Sequence, residues 1–181
     1  TITHSKDASW RAPLWQALSE AGLPLSWVPE NCNGSGASLA DGFGVINAAG
    51  RAGLSVPLAE TMLAGWLLAQ AGIASPSDAM TVAPSLPKDR ITLNDDGTLS
   101  GVARGIPFAS EARHIAVVAN GANGLAIVLV TTADCRITAG LNLARDASDT
   151  ITFDKVRPVA IKPAPREFDA TALLLMGGVA R

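Results

Sequence analysis

The sequence predicts a multidomain α+β protein: an N-terminal helical domain, an antiparallel β-barrel or sandwich, and then the start of a C-terminal helix. Apolar residues recur at helical spacing up to residue 75, whereas short apolar runs separated by Gly, Asn and Asp dominate from residue 91. A Pro- and Ser-rich stretch lies between the two patterns. We therefore predict a helical domain at 1–75, a connector at 76–90, a β-domain at 91–165 and a C-terminal helical segment at 166–181.

Each predicted helix has boundary signals of its own. The first begins at Pro13, which suits the first helical position, and ends before Gly22. The second covers residues 38–49. The third opens at Pro57 and runs to about residue 71, and its apolar residues cover nearly the whole circumference, which is typical of a buried helix. A further helix is predicted from Phe168 onward.

Two hairpins open the predicted β-domain. Residues 91–93 and 98–100 flank the turn sequence NDDG, whose Asp-Gly pair favours a tight turn. Residues 115–119 and 125–131 flank a second turn. Shorter strands are predicted near 136–138, 150–153 and 159–161. Several short antiparallel strands at this spacing are typical of a barrel or sandwich.

Composition excludes several classes of protein. Of the 181 residues, 48% are hydrophobic and 17% charged, so the chain can bury a sizeable core. The net charge is −2 and no segment has a basic excess, which argues against binding to nucleic acid or an anionic membrane. The most apolar stretch, 61–74, is shorter than the ~20 residues of a membrane helix. With a polar N-terminus and no visible signal peptide, we expect a cytoplasmic protein.

The cysteines and histidines do not suggest a metal site. Cys32 and Cys135 lie far apart, and so do His4 and His114, so none of them has the spacing of metal ligands. We predict that both cysteines are reduced thiols and that no metal is bound.

No group of residues forms an evident catalytic set. Gly42 and Gly44 resemble part of a dinucleotide-binding glycine pattern, but no strand precedes them, and we interpret them as two helical glycines at a close packing contact. Glu60 opens the apolar helix, so it is either a buried carboxylate with a raised pKa or a first-turn acid that complements the helix dipole. Arg104, Arg113 and Arg136 are isolated in the sequence. One of them could contact a phosphate, but we expect them to form surface ion pairs. We predict no catalytic residue.

Several segments, in collinear order over nearly the whole chain, resemble the acyl-CoA dehydrogenase family. The early ones are LWQALSEAGL at 14–23, Pro29-Glu30, NGSG at 33–36 and PLAET at 57–61. The later ones are LSG at 99–101, EARHIAVVA at 111–119, GLNLAR at 140–145 with DTITFDKV at 149–156, and ATALLL at 170–175. The resemblance implies an FAD-containing oxidoreductase of lipid metabolism.

In that family a glutamate removes the α-proton of an acyl-CoA thioester, and hydride leaves the β-carbon for the flavin. The glutamate normally lies in the C-terminal helical domain. In this sequence the corresponding segment runs for only about two helical turns, so the resemblance implies that the base is absent from this chain, together with that domain's contacts to the flavin pyrophosphate and adenine.

The resemblance also implies three cofactor-binding residues. Thr81 matches a threonine of the segment that lies against the flavin, although the residues after it depart from the family pattern. Ile106 and Pro107 stand near the position of the family's Trp-Ile-Thr segment, so an aromatic ring and a hydroxyl are both lost. Such departures are similar to the degenerate partner subunits of heteromeric acyl-CoA dehydrogenases.

Three hypotheses follow. The chain is part of an FAD-dependent acyl-CoA dehydrogenase, or a non-catalytic subunit that supports another chain's site, or a scaffold without a flavin role. In the first two cases we expect acyl-CoA as substrate, and either a homo-oligomer or a paired acyl-CoA dehydrogenase-like subunit as partner. On its own this chain is expected to be inactive.

Overall fold

A computed structural model describes residues 11–84, 86–143 and 145–180, so His4 lies outside the described residues. These residues form four α-helices: α1 (Arg11–Glu20), α2 (Leu39–Arg51), α3 (Leu58–Gln70) and α4 (Ala170–Ala180). They also form eight strands: β1 (Met80–Ala83), β2 (Ile91–Leu93), β3 (Leu99–Ile106), β4 (His114–Gly121), β5 (Gly124–Thr131), β6 (Arg136–Thr138), β7 (Asp149–Val156) and β8 (Ala160–Pro163). The α+β class and the order of helices and strands are confirmed.

The predicted helices are all present, with small shifts at their ends. Ser38 caps α2, because its hydroxyl accepts a hydrogen bond from the backbone N–H of Asp41 at 3.2 Å. The helix continues past Gly50, and the chain turns at Gly53, whose φ of +63° suits glycine. α3 is buried around most of its circumference, as its composition predicts.

One of the two helical glycines of α2 lies at a close packing contact. A Cβ on Gly42 would overlap the indole nitrogen of Trp27, and that nitrogen donates a hydrogen bond to the carbonyl of Leu39 at 3.2 Å. The same indole packs edge-on against Phe43, with ring centroids 4.9 Å apart. Gly44 has nothing within 4 Å of its Cβ position, so the prediction of a contact at both glycines is wrong for Gly44.

All eight strands belong to one sheet in the order β6-β7-β3-β2-β4-β5-β8, with β1 also paired to β4. The hairpins β2–β3 and β4–β5 are antiparallel, as predicted, and the second closes at Gly121 opposite Gly124. The sheet is mostly antiparallel and does not close into a barrel. Two parallel pairings, β1 with β4 and β2 with β4, were not predicted, and β1 lies within the predicted connector.

The central strands β4 and β5 are buried on both faces. Alternate residues, including Ala116 and Leu129, pack against α3, while the residues between them, including Val117 and Val128, face the inner core of the curved sheet. This explains their continuous apolar runs, since a strand covered on both faces has no polar side.

Thr61 connects the helices to the sheet. Its hydroxyl donates to the carbonyl of Pro57 at 2.6 Å and accepts from the backbone N–H of Met80 at 3.0 Å, so one buried side chain joins α3 to β1.

Within the described residues, no helix is long and apolar enough to span a membrane.

Candidate functional site

A cleft of about 530 Å³ separates the helices from one end of the sheet. Its volume lies within the ~300–1,000 Å³ range of small-molecule pockets. Its helical wall consists of the end of α2, the α2–α3 connection and the first turn of α3. Its other wall consists of the end of β3, the residues that follow it, and the loop at 142–148. The lining residues are Ile46, Ala49, Gly50, Gly53, Leu54, Ser55, Val56, Leu58, Ala59, Glu60, Gly105, Pro107, Phe108, Asn142, Asp146, Ala147 and Ser148.

The helical wall is shaped by the turn between α2 and α3. The backbone N–H groups of Gly53 and Leu54 donate to the carbonyls of Gly50 and Ala49, at 3.0 and 3.1 Å, and close the end of α2. Pro57 then precedes α3 and makes the connection short. The apolar residues Leu54 and Val56 of this connection line the cleft.

Asp149 holds the opposite wall together. Its side chain is buried, with 1% exposure, and its two oxygens accept from the backbone N–H groups of Ser110 at 2.9 Å and Gly140 at 3.1 Å. One carboxylate thus joins the segment after β3 to the segment that leads into β7. A buried carboxylate needs such donors because it has given up its water.

The loop between Gly140 and Asp149 has hydrogen bonds of its own. The Asn142 side-chain oxygen accepts from the backbone N–H of Asp146 at 2.9 Å, and the backbone N–H of Ser148 donates to the carbonyl of Gly140 at 3.0 Å. Gly140 is needed here, because a Cβ would overlap the Ser148 carbonyl. Asn142, Asp146 and Ser148 therefore line the cleft from an internally braced loop.

The cleft is acidic and otherwise neutral. Glu60 and Asp146 are its only charged lining residues among those described, with Glu60 buried at 5% exposure and Asp146 exposed. Arg11 reaches the rim, where its guanidinium donates to the Ser55 hydroxyl at 3.4 Å, but another of its nitrogens is paired with Glu111 at 2.9 Å. This arrangement suits an uncharged, partly apolar ligand better than a diphosphate.

The predicted cofactor residues lie together at the sheet end of the cleft. The Thr81 hydroxyl donates a hydrogen bond to the carbonyl of Pro107 at 2.8 Å. Two of the three predicted cofactor-binding residues, one in β1 and one just after β3, are therefore in direct contact. The side chains of Thr81 and Ile106 are fully buried, and of the three only Pro107 lines the cleft. Their role in binding a cofactor stays a prediction.

Other residues singled out by the sequence have structural partners. Arg104 forms an ion pair at 2.7 Å with the buried carboxylate of Asp89. Of the two uses considered for it, the structure shows the ion pair.

Both cysteines are free thiols, and burial, with the neighbouring Asp134 carboxylate, raises the pKa of the Cys135 thiol to about 12. The described residues contain no group of His, Cys, Asp or Glu able to hold a metal.

Solved structures share this architecture. A steroid acyl-CoA dehydrogenase, the Tcur3481-Tcur3483 G363A variant, is 25% identical with a TM-score of 0.69, and the match covers 93% of this chain and 50% of that one. The chain has the acyl-CoA dehydrogenase fold. The ChsE4-ChsE5 complex from Mycobacterium tuberculosis has the same fold, at 22% identity and a TM-score of 0.71 over 93% of this chain and 50% of that one.

The acyl-CoA dehydrogenase fold also appears in KijD3, solved in complex with FMN and a dTDP-linked amino sugar, at 20% identity and a TM-score of 0.63 over 93% of this chain and 51% of that one. The chain spans about half the length of these proteins. No protein-family model matches the sequence, and no curated protein matches it. The resemblance stated from the sequence is confirmed at the level of the fold, and flavoproteins are among the proteins that share it.

A flavin dinucleotide does not fit the described residues of this acyl-CoA dehydrogenase fold by themselves. No Lys, Arg or His lies among the described residues that line the cleft, and the Arg11 guanidinium at its rim is already paired with Glu111. The described lining therefore offers no cation to a pyrophosphate. The Thr81 hydroxyl is already engaged by Pro107 and has no exposed surface. The sequence did not reveal the cleft, because its walls come from segments around residues 54, 105 and 142 that no local pattern connects.

Proposed function

We propose that the chain forms one part of a flavin-dependent acyl-CoA dehydrogenase, in which its cleft receives the acyl group of the thioester. The observation that carries the proposal is the cleft itself, which lies between helices and sheet in a fold shared with a steroid acyl-CoA dehydrogenase. On the helical wall of the cleft, Ile46, Leu54 and Val56 are available for contact with a carbon chain. Pro107 lines the opposite wall.

In this proposal the described residues bind and orient the substrate rather than transform it. The apolar helical wall excludes water from the acyl group, and the braced loop around Asn142 limits the positions that the group can take. FAD supplies the oxidation when bound. The cationic contacts to its phosphates and the base that removes the α-proton come from polypeptide other than the described residues.

The second candidate is a subunit that completes another chain's flavin site. Two observations favour it: the cleft lining contains no cation among the described residues, and the Thr81 hydroxyl is committed to Pro107. The ChsE4-ChsE5 structure is a complex of two named chains, which supports a paired arrangement for this fold.

Flavin content separates the two candidates. The purified protein should be examined for flavin absorbance and for reduction of a dye acceptor by acyl-CoA, alone and after co-expression with an acyl-CoA dehydrogenase-like chain from the same source. Flavin and turnover in the protein alone support the dehydrogenase. Flavin that appears only with the second chain supports the partner subunit. If neither flavin nor acyl-CoA binds in either preparation, both candidates are wrong.

A further inference from the structure

Phe108 is an aromatic residue that neither hydrophobic core of the protein uses. One core surrounds α3 and the other lies inside the curved sheet, and Phe108 belongs to neither of them. It is half-buried, and among the described residues that line the cleft it is the only aromatic one. The aromatic contact of the described residues is the one between Trp27 and Phe43, so none of them gives the Phe108 ring an aromatic partner.

The backbone holds Phe108 in a conformation that phenylalanine rarely adopts. Its φ is +52°, in the left-handed region, where a bulky side chain is strained and glycine is not. Just before it, the Thr81 hydroxyl donates to the carbonyl of Pro107 at 2.8 Å. The Phe108 carbonyl in turn accepts from the backbone N–H groups of Glu111 and Ala112, at 3.0 and 2.9 Å. Strain that the surrounding structure imposes in this way is concentrated at sites of function, and no contact in either core offsets it here.

From these observations we infer that Phe108 is a specificity-determining residue, whose ring contacts an aromatic ring in the acyl group of the substrate. The inference rests on the proposed function. Two aromatic rings in offset or edge-to-face contact attract each other beyond the effect of the apolar area that they bury, and a saturated ring lacks this attraction. Because the described lining offers no cation to the phosphates of a flavin dinucleotide, the ring is assigned to the acyl group.

The helical wall that faces Phe108 leaves room for a ring. Four of its lining residues carry at most a methyl group as side chain: Ala49, Gly50, Gly53 and Ala59. An aromatic ring is broader than an alkyl chain, and small side chains on the facing wall accommodate that breadth.

The test compares 3-phenylpropanoyl-CoA with 3-cyclohexylpropanoyl-CoA by titration calorimetry on the purified protein, with its co-purifying partner where there is one. Both probes carry a six-membered ring at the same position, and only the first ring is aromatic. The wild type should bind the phenyl probe about fivefold more tightly. Phe108→Leu keeps an apolar side chain but removes the ring, so the two affinities should come within about twofold of each other. Phe43→Leu, at an aromatic residue outside the cleft, should keep the wild-type preference.

Thermal unfolding separates a ligand contact from a structural role of the ring. Phe108→Gly removes the ring and also relieves the backbone, since glycine adopts a positive φ without strain. The Tm of this variant should equal or exceed that of the wild type, while its preference for the phenyl probe should disappear. A clear fall in the Tm, or failure of the variant to fold, would show that the ring stabilises the fold and would overturn the inference.

The remaining outcomes are separable. Equal affinity of the wild type for the two probes, or a preference that survives in Phe108→Leu, would overturn the role of Phe108 and leave the proposed function intact. Riboflavin, which has the flavin ring without phosphates, is titrated in the same way. If Phe108→Leu weakens riboflavin binding and leaves the preference for the phenyl probe unchanged, the assignment to the acyl group is wrong. Binding of neither CoA probe would overturn the proposed function itself.

Discussion

Two glycines in the helices lie at positions of close packing. The indole of Trp27 packs against the backbone of Gly42 in α2, and the side chain of Val28 packs against the backbone of Gly65 in α3. In both cases a side chain occupies the volume that a Cβ would need. These glycines allow α2 and α3 to approach the loop that precedes them.

Gly42→Ala should destabilise the protein by about 1–3 kcal/mol, because the new methyl group forces Trp27 out of its position. Gly44→Ala is the matched control on the same helix. It has open space around its Cβ position, and it should stabilise the helix by up to about 1 kcal/mol. Urea denaturation of the two variants measures the difference. Equal urea midpoints for the two variants would show that the Trp27 indole does not pack against Gly42.

Asp96 fixes the first hairpin turn. The Thr98 hydroxyl and backbone N–H donate to its carboxylate at 2.6 and 3.0 Å, and these hydrogen bonds lower its pKa from the ordinary 3.8. Its contribution to stability is therefore fully present above pH ~4 and lost as the pH falls through the lowered folded-state pKa. The stability difference between the wild type and Asp96→Asn should shrink below pH 4, and a constant difference down to pH 2 would refute this.

At the scale of elements, hydrogen bonds from single side chains join segments that are distant in sequence. Thr61 joins α3 to β1, Thr81 joins β1 to the end of β3, and Asp149 joins the segment after β3 to the loop before β7. Together they link the helices to the cleft through the sheet.

Asp149→Asn should cost about 1–3 kcal/mol, because an amide presents one acceptor oxygen where two backbone N–H groups now donate. It should also weaken acyl-CoA binding, since the loop at 142–148 loses its attachment. Asp154→Asn on the same strand is the control, because Asp154 is exposed. If the two variants unfold at the same temperature, Asp149 does not carry the role assigned to it.

At the scale of the whole molecule, the sequence predicts what depends on local pattern. Gly22 and Gly72 mark the ends of α1 and α3, and Gly97 marks the turn of the first hairpin, because each adopts a positive φ that suits glycine. β1 was missed because its four residues have no periodicity of their own and its partner β4 begins 34 residues after it, at His114 opposite Met80. The cleft was missed for the same reason, because it exists only once distant segments pack together.

The whole molecule should associate. Six large apolar side chains are exposed among the described residues: Leu39, Leu141, Leu143, Val159, Ile161 and Leu175. Their burial against a partner contributes roughly 25 cal/mol per Å². We expect a dimer, a larger oligomer or a complex with a second chain. A monomer by light scattering at high protein concentration would contradict this expectation.

Acyl-CoA binding to a protein with a filled cleft tests the central claim most directly. Gly50 lines the cleft on α2 and has nothing within 4 Å of its Cβ position, so Gly50→Leu introduces a bulky side chain where there is room for its Cβ. Gly44→Leu makes the same change on the same helix outside the cleft. We predict that Gly50→Leu weakens the binding of dodecanoyl-CoA about tenfold, whereas Gly44→Leu binds it as the wild type does. Unchanged binding in Gly50→Leu, with the wild type binding measurably, would contradict the assignment of the cleft.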